Sequence, residues 1–504
     1  MEIKTGKFSI SHDRIVDGEL EIAGPQSSLV LRDDETFYVD DSSNLWVTGS
    51  LYDQTRITLI ECVQTGSASH TTPGEGVKSH SVTLFPQFVA QGRVHLERDK
   101  PTVREISFTF EDAAAFFYDF DAFGAVPDAA QYIELLTKAN AEKFKRPIRT
   151  GPDAQIAYFT GRRQIIEADT ELGKIRVEHC PSWPIGGPRG VRIDNEIWIS
   201  IIPGLPIGFD DAVNRLRSLL RFVAVCVGRE QNLPRFTVDV GSSDAPKILR
   251  IHWSDHPRRI DDAIPRVRRT PQPADLPLDP IRHPNEFVTV IKSWLAANTE
   301  RLNARARIHE SLARQNFYTV DRLVGAANAF DHLPRSAVPS RVALTPELLS
   351  AKKQCKKVFR DLPASDERES LFRALGRLGE ASLKQKVRHR AQIITAAAAD
   401  KFPSLDFVCD RAIECRNYFV HGTSLRFQPE HASSNQSFLT DTLEFVFTAS
   451  ELIEAGWDIK RFLDTPTSMS HPFGTYRIRY KESLQALQAS AETSTVAAND
   501  TEEP

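Results

Sequence analysis

The stretch Glu414-Cys415-Arg416-Asn417-Tyr418-Phe419-Val420-His421-Gly422 closes a run that reads as one amphipathic helix. Leu405, Val408, Ala412, Cys415 and Phe419 recur at alternating three- and four-residue steps, so Asp406 to Val420 carries a single apolar stripe. Ser404, after Pro403, is placed as its N-cap and Gly422 as the residue that stops it. Arg416 neighbours Ala412 and Phe419 one turn either way, beside the stripe. His421 lies roughly 140° further round, so the two side chains do not stack within one ideal helix. They can converge through a loosened last turn, or across a two-fold axis where two copies of the helix meet. The second arrangement predicts a dimer.

A cation, an amide and an imidazole thus stand at one helix end. A guanidinium can hold a phosphate in two-pronged fashion, and an imidazole can move a 2′-hydroxyl proton near neutral pH. This inventory suits metal-free cleavage of RNA. The bland alternative is an Arg and a His that merely offset the negative end of the helix dipole. The Arg-to-His spacing is by itself a weak signal, because it recurs at Arg426 and His431. That copy is set aside: Pro429 falls inside it, and Phe427 stands where the first has Asn417.

With 504 residues the chain is long enough for two or three domains, and 41% apolar with 26% charged residues is ordinary for a soluble globular protein. No run reaches the ~18 uninterrupted apolar residues of a membrane helix, and the start lacks the design of a secretory signal. The six cysteines are scattered without a Cys-x-x-Cys pair, which fits a reducing cytoplasm better than disulfides or zinc. The net charge of −4 is matched by the four acids of the tail 491–504, leaving a neutral body. Within that body, bases cluster at Lys352, Lys353, Lys356, Lys357 and Arg360, and again at Lys384, Lys386, Arg388, His389 and Arg390. Either run is a solvated helix face or a phosphate-attracting surface; the latter would show as steep salt dependence.

The chain reads as multidomain α+β. Residues 1–145 form a β-rich lobe of short branched and aromatic runs. Residues 146–254 form an α+β lobe with a strong helix from Phe209 to Gly228. The Pro- and Arg-rich 255–285 is a linker or a strap. Residues 286–485 form an all-α bundle, and 486–504 a disordered acidic tail. The helices expected in the bundle include Glu367 to Ala398 and Asp441 to Leu463 as single elements. Residues 65–79, rich in Gly, Ser and Thr, read as a loop. Its Gly74-Glu75-Gly76-Val77-Lys78-Ser79 lacks the Gly directly before Lys that a phosphate loop needs. His70 and His80 flank it without further ligands, so no metal is assigned.

The Arg416-Asn417 to His421 pattern in a helical domain resembles the active-site motif of the HEPN ribonucleases, small helical domains that usually pair to build one cleft. The N-terminal half is similar to the N-terminal domain of ApeA-type anti-phage proteins. That likeness rests on Trp46 to Leu51 running into Ile57 to Cys62, on Gln91-Gly92-Arg93 leading to Glu105 to Phe108, and on the helix Asp210 to Arg229. The resemblance implies a metal-independent, cofactor-free endoribonuclease of abortive infection. His421 would be its general base or acid, Arg416 would stabilise phosphate charge, and Asn417 would orient the phosphate or His421. It implies 2′,3′-cyclic phosphate and 5′-hydroxyl products, RNA, with transfer RNA a suitable class, as substrate, a homodimer, and an N-terminal domain that senses a phage component or restrains the nuclease. Asp331 lies where an acid on another helix would orient Arg416, or is a plain helix-end acid. Tyr418 and Phe419 are candidates to stack on a base, though Phe419 fits the core better. Lys384, Lys386, Arg388, Arg390, Lys356 and Lys357 are the candidate RNA contacts. The rival reading is a non-catalytic HEPN-like scaffold or antitoxin that binds RNA or protein. A conventional hydrolase finds no motif to support it.

Overall fold

The computed structural model describes residues 3–11, 14–39, 45–72, 76–147, 149–183, 190–242, 244–254, 270–314, 317–340, 344–422 and 429–499. The chain divides into two compact units. One comprises Met1–Leu220, Gln231–Arg258 and Asp279–Val288, the other Arg221–Glu230, Arg259–Leu278 and Thr289–Pro504.

The first unit is built on antiparallel strands: β1 (Ile3–Ser11), β2 (Arg14–Glu21), β3 (Ser28–Asp33), β4 (Leu45–Leu51), β5 (Arg56–Thr72), β6 (Gly76–Gly92), β7 (Glu105–Thr109), β8 (Phe123–Val126), β9 (Ile156–Phe159), β10 (Gln164–Thr170), β11 (Gly173–Ser182), β12 (Asp194–Ile202), β13 (Arg235–Asp239) and β14 (Ile248–Trp253). Its helices are α1 (Ala113–Phe116), α2 (Ala130–Phe144) and the first part of α3 (Phe209–Val227). Twelve strands join in the order β10-β11-β12-β7-β13-β14-β6-β3-β2-β1-β4-β5, and β5 also pairs with β6. That last pairing closes β1 to β6 into a six-stranded barrel. Successive side chains of a strand point to opposite faces, and the inward set, including Phe8, Leu20, Leu29, Val47, Ile57, Leu59 and Leu84, is fully buried. Gly18 and Gly49 make room for the Phe8 ring, since a Cβ on either would lie inside contact distance of it.

Strand β6 serves both halves of the sheet. It pairs with β3 over 80–84 and with β14 over 88–91. Between them sits Pro86, which has no N–H for a ladder. Two expectations are corrected here. The strands assigned to a separate lobe after residue 145 continue the same sheet, through β12 and β13 on β7 and β14 on β6. The expected loop 65–79 is mostly ladder, because β5 and β6 pair from Arg56↔Gly92 out to Thr72↔Gly76; residues 73–75 of it lie outside the described residues. His80 is engaged within that hairpin, its Nδ1 lying 2.8 Å from Ser69 Oγ.

The second unit is helical. It holds the end of α3, most of α4 (Pro284–Ala296), and α5 (Asn298–Arg314), α6 (Val320–Asp331), α7 (Pro346–Arg360), α8 (Asp366–Arg377), α9 (Leu383–Ala398), α10 (Leu405–His421), α11 (Pro429–Glu454), α12 (Ile459–Asp464) and α13 (Pro472–Asn499). Helices α6, α9, α10 and α11 pack mutually around Leu323, Phe330, Val387, Ile394, Val408, Ala412, Leu443 and Phe447. A buried charge cluster stitches α5, α9 and α11. Glu451 accepts from Arg301, from Arg305 at 2.9 Å and from Arg390 at 3.0 Å, and Glu454 binds Arg301 at 2.8 Å and Arg390 at 2.7 Å. Beside it, Arg322 grips Glu444 through two 2.8 Å hydrogen bonds, and Tyr318 Oη donates to both oxygens of Asp441.

Three helix boundaries differ from expectation. Glu367 to Ala398 is two helices, broken by Gly379 at φ 89° and restarted by a capping box between Ser382 and Gln385. Asp441 to Leu463 breaks at Gly456, φ 111°. The tail expected to be disordered from 486 continues as α13 to Asn499, with Leu484 and Leu487 buried at its start; residues 500–504 lie outside the described residues. So do 255–269 of the expected linker. The next residues form a strap fixed by Asp275, whose carboxylate accepts N–H bonds from Ser468 and Ser470 at 2.7 Å each. Among the described residues no helix is long and apolar enough to cross a membrane.

Candidate active site

Helix α10 delivers the motif. Leu405, Val408, Ala412 and Cys415 are buried along its stripe, whereas Arg416, Asn417, Tyr418 and Phe419 are half-buried and His421 is exposed. Ser404 does precede the helix, but at φ 55° and without a side-chain cap bond. Gly422 ends it at φ 65°, its N–H donating to Tyr418 O at 2.9 Å. The last turn is therefore regular, not loosened. Arg416 and His421 meet inside one chain through the reach of the arginine side chain.

The guanidinium of Arg416 is held by three neutral acceptors. Nη1 donates to Asn417 Oδ1 at 3.1 Å and lies 3.1 Å from His421 Nε2, and Nη2 donates to Asn328 Oδ1 at 3.0 Å. The contact between two nitrogens works only if Nε2 offers its lone pair, which assigns the imidazole proton to Nδ1. Nε of Arg416 is buried without a hydrogen-bond partner. Among the described residues no carboxylate pairs with Arg416, so its positive charge is positioned but not neutralised. Tyr418 and Phe419 form an edge-on ring pair at 5.2 Å beside it. Burial pushes the Cys415 thiol up to about 11, which makes it a packing group and not a nucleophile.

The acid expected on another helix is not the residue that holds Arg416. Asp331, at the end of α6, accepts from Lys386 at 2.8 Å. The contact comes from Asn328, three residues earlier on α6 and so on the neighbouring ridge that faces α10. An amide there orients the guanidinium without cancelling its charge, which a carboxylate would do. Asn328 is half-buried on the side of α6 away from the buried Leu323, Ala326 and Phe330, so the helix pattern gave no signal for it.

Four members of the second basic run are engaged in ion pairs within the chain, and one of them, Arg390, is buried. Lys384 binds Asp410 at 3.0 Å, and Arg388 takes the same carboxylate in a forked pair. Burial opposes charge on Asp410, yet the bonds from Arg388 and Lys384 hold its carboxyl below the ordinary range. Lys386 is spent on Asp331. Arg390 is fully buried, donating to Ser450 Oγ at 2.8 Å and to the Glu451 and Glu454 cluster. Lys356 and Lys357 sit on α7 with no ion pair among the described residues, Lys356 half-buried and Lys357 exposed. Arg426 of the discarded second copy lies outside the described residues.

Two family models match the chain in order. The model described as ApeA N-terminal domain 1 matches residues 4–294. The Apea-like HEPN model matches residues 324–460, a span that includes Asn328, Arg416, Asn417 and His421. No curated protein and no solved structure matches. Because the first model alone spans more than half of its length, the chain belongs to the ApeA family, with an ApeA N-terminal domain 1 followed by an Apea-like HEPN domain.

Proposed function

We propose that this protein is a metal-independent endoribonuclease of abortive infection. It cuts RNA through Arg416, Asn417 and His421 to leave 2′,3′-cyclic phosphate and 5′-hydroxyl ends. The observation that carries the reading is the guanidinium of Arg416, held by Asn328 and Asn417, free of any carboxylate among the described residues, and 3.1 Å from the lone-pair nitrogen of His421.

In the free protein Nη1 occupies that lone pair. A phosphodiester entering the site offers the guanidinium charged oxygens, which are stronger acceptors than an imidazole nitrogen. Arg416 then turns to the phosphate, and Nε2 is released to take the proton of the 2′-hydroxyl. The 2′-oxygen attacks phosphorus, the bond to the 5′-oxygen breaks, and the leaving oxygen takes a proton from solvent, to which Nε2 returns the one it took. Asn328 and Asn417 keep the guanidinium where charge develops on the phosphate, a preorganised arrangement of the kind that contributes most to such steps. The active form is a homodimer pairing two such helix ends, and the N-terminal domain senses a phage component or restrains cleavage. Transfer RNA is the substrate class that suits growth arrest.

The test is cleavage of labelled RNA by purified protein in excess EDTA. Wild type cuts and produces cyclic-phosphate ends, whereas Arg416→Ala and His421→Ala, with unchanged circular dichroism, do not. Cleavage that persists in both variants removes the assigned chemistry. RNA binding without cleavage, with the inducing phage factor present, moves the protein to the scaffold class.

A further inference from the structure

Between α6 and α9 the chain makes a helical hairpin, α7 and α8, in which neither helix has a buried residue. Its two helices are nonetheless built deliberately. Thr345 and Ser365 cap them, each accepting a backbone N–H at 3.3 Å. Arg368 of α8 locks onto the end of α7, donating to Phe359 O at 2.8 Å and Arg360 O at 3.3 Å with its guanidinium over the Phe372 ring. The hairpin is thus a stable element whose cohesion does not come from the bundle core.

Its place is set by two contacts at the same end of the bundle. The Asp331 to Lys386 ion pair joins the last residue of α6 to the first turn of α9, and Asn328 to Arg416 joins the last turn of α6 to the motif. The chain therefore leaves for the hairpin and returns from it beside the catalytic helix end. On α7, Lys352, Lys353, Lys356, Lys357 and Arg360 fall within about 140° of arc at 100° per residue. Glu347 is the lone acid of that helix. Val358 takes the opposite side, half-buried Phe359 borders the arc next to Lys352, and exposed Leu349 lies within it. The four lysines form no ion pair among the described residues, in contrast to Lys384, Lys386, Arg388 and Arg390.

We infer that the α7–α8 hairpin is an RNA-holding arm, with the lysine face of α7 gripping the phosphate backbone of a strand that the motif cuts. Charge decides the occupant: a dense, unneutralised cationic face fits a polyanion. The inference rests on the nuclease reading for its substrate, and its test is a binding measurement that stands apart from cleavage. In the His421→Ala background the RNA survives, so the affinity for a labelled single-stranded oligoribonucleotide can be read across a salt series. The quadruple variant Lys352→Gln, Lys353→Gln, Lys356→Gln and Lys357→Gln keeps helix propensity and removes no buried contact. Four lost phosphate contacts lower the log–log salt slope by about 3 and weaken binding by about 10- to 100-fold at low salt. Unchanged slope and affinity, with the parent and variant equally folded by circular dichroism, overturn the arm while leaving the cleavage chemistry intact. An absence of RNA binding by the parent overturns it as well. Unchanged RNA binding together with a shift in self-association by sedimentation velocity would make α7 a protein-contact face, and that also overturns it. Loss of slope in a protein whose wild type never cuts RNA upholds the arm and removes the nuclease reading alone.

Discussion

Replacing Asn328 by Ala tests whether the active helix end is positioned from α6. The change removes one acceptor, Oδ1, 3.0 Å from Nη2 of Arg416. A hydrogen bond to a charged group contributes about 1.5–3 kcal/mol. Among the described residues Arg416 has no second partner for Nη2 and none for Nε, so the guanidinium keeps its Nη1 bonds to Asn417 and His421. If that energy is expressed as position in the transition state, at a tenfold effect per ~1.4 kcal/mol, cleavage falls by about 10- to 100-fold. The assay is single-turnover cleavage at saturating protein, which separates chemistry from RNA affinity. The partner measurement is a double-mutant cycle. In an Arg416→Ala background, Asn328→Ala should add nothing, because the residue acts only through Arg416. Asn328→Asp should keep the guanidinium in place yet still cut slowly, since a carboxylate neutralises the charge the phosphate needs. Wild-type rates in Asn328→Ala, or losses that simply add in the cycle, would refute the positioning role.

Three further outcomes test other parts of the account. Arg390→Ala strips a fully buried member from the Glu451 and Glu454 cluster and should lower stability by about 3–5 kcal/mol in urea; a stable variant with weakened RNA binding would restore Arg390 to the phosphate surface. Gly49→Val drives a side chain into the Phe8 ring inside the barrel and should cost about 1–3 kcal/mol, read as a lower thermal midpoint. Burial, and then the charge of Glu444, push the Asp441 carboxyl up to about 7. The folded state therefore binds a proton that the unfolded state releases near pH 4, so this group's stabilisation is full below pH 4 and is lost as pH rises to 7. Asp441→Asn should flatten that decline in thermal midpoint; a decline as steep as wild type would contradict it.

Legibility in the sequence followed the range of the forces involved. The motif helix was readable because its stripe, its glycine stop and its three polar residues all lie within eighteen positions. The break between α8 and α9 was also written locally, in Gly379 and in the Ser382 to Gln385 box, but a continuing apolar period masked it. Barrel closure was not readable, since it depends on β1 meeting β4 and on β5 following β6 past the Gly- and Ser-rich stretch, pairings decided by burial of Phe8 and its neighbours. Arg390 was misread for the same reason. A basic run looks like a solvated face until its counter-charge appears sixty-one residues later at Glu451. Asn328 left no mark, lying on the less buried side of α6, and its meaning came from Arg416 on another helix.

The most direct test is the sequencing of RNA 5′-hydroxyl ends from cells expressing wild type, Arg416→Ala or His421→Ala protein. The account predicts such ends at defined sites with wild type alone, together with growth arrest that both variants lose. Equal patterns of ends from all three proteins, or arrest without any new ends, would contradict it.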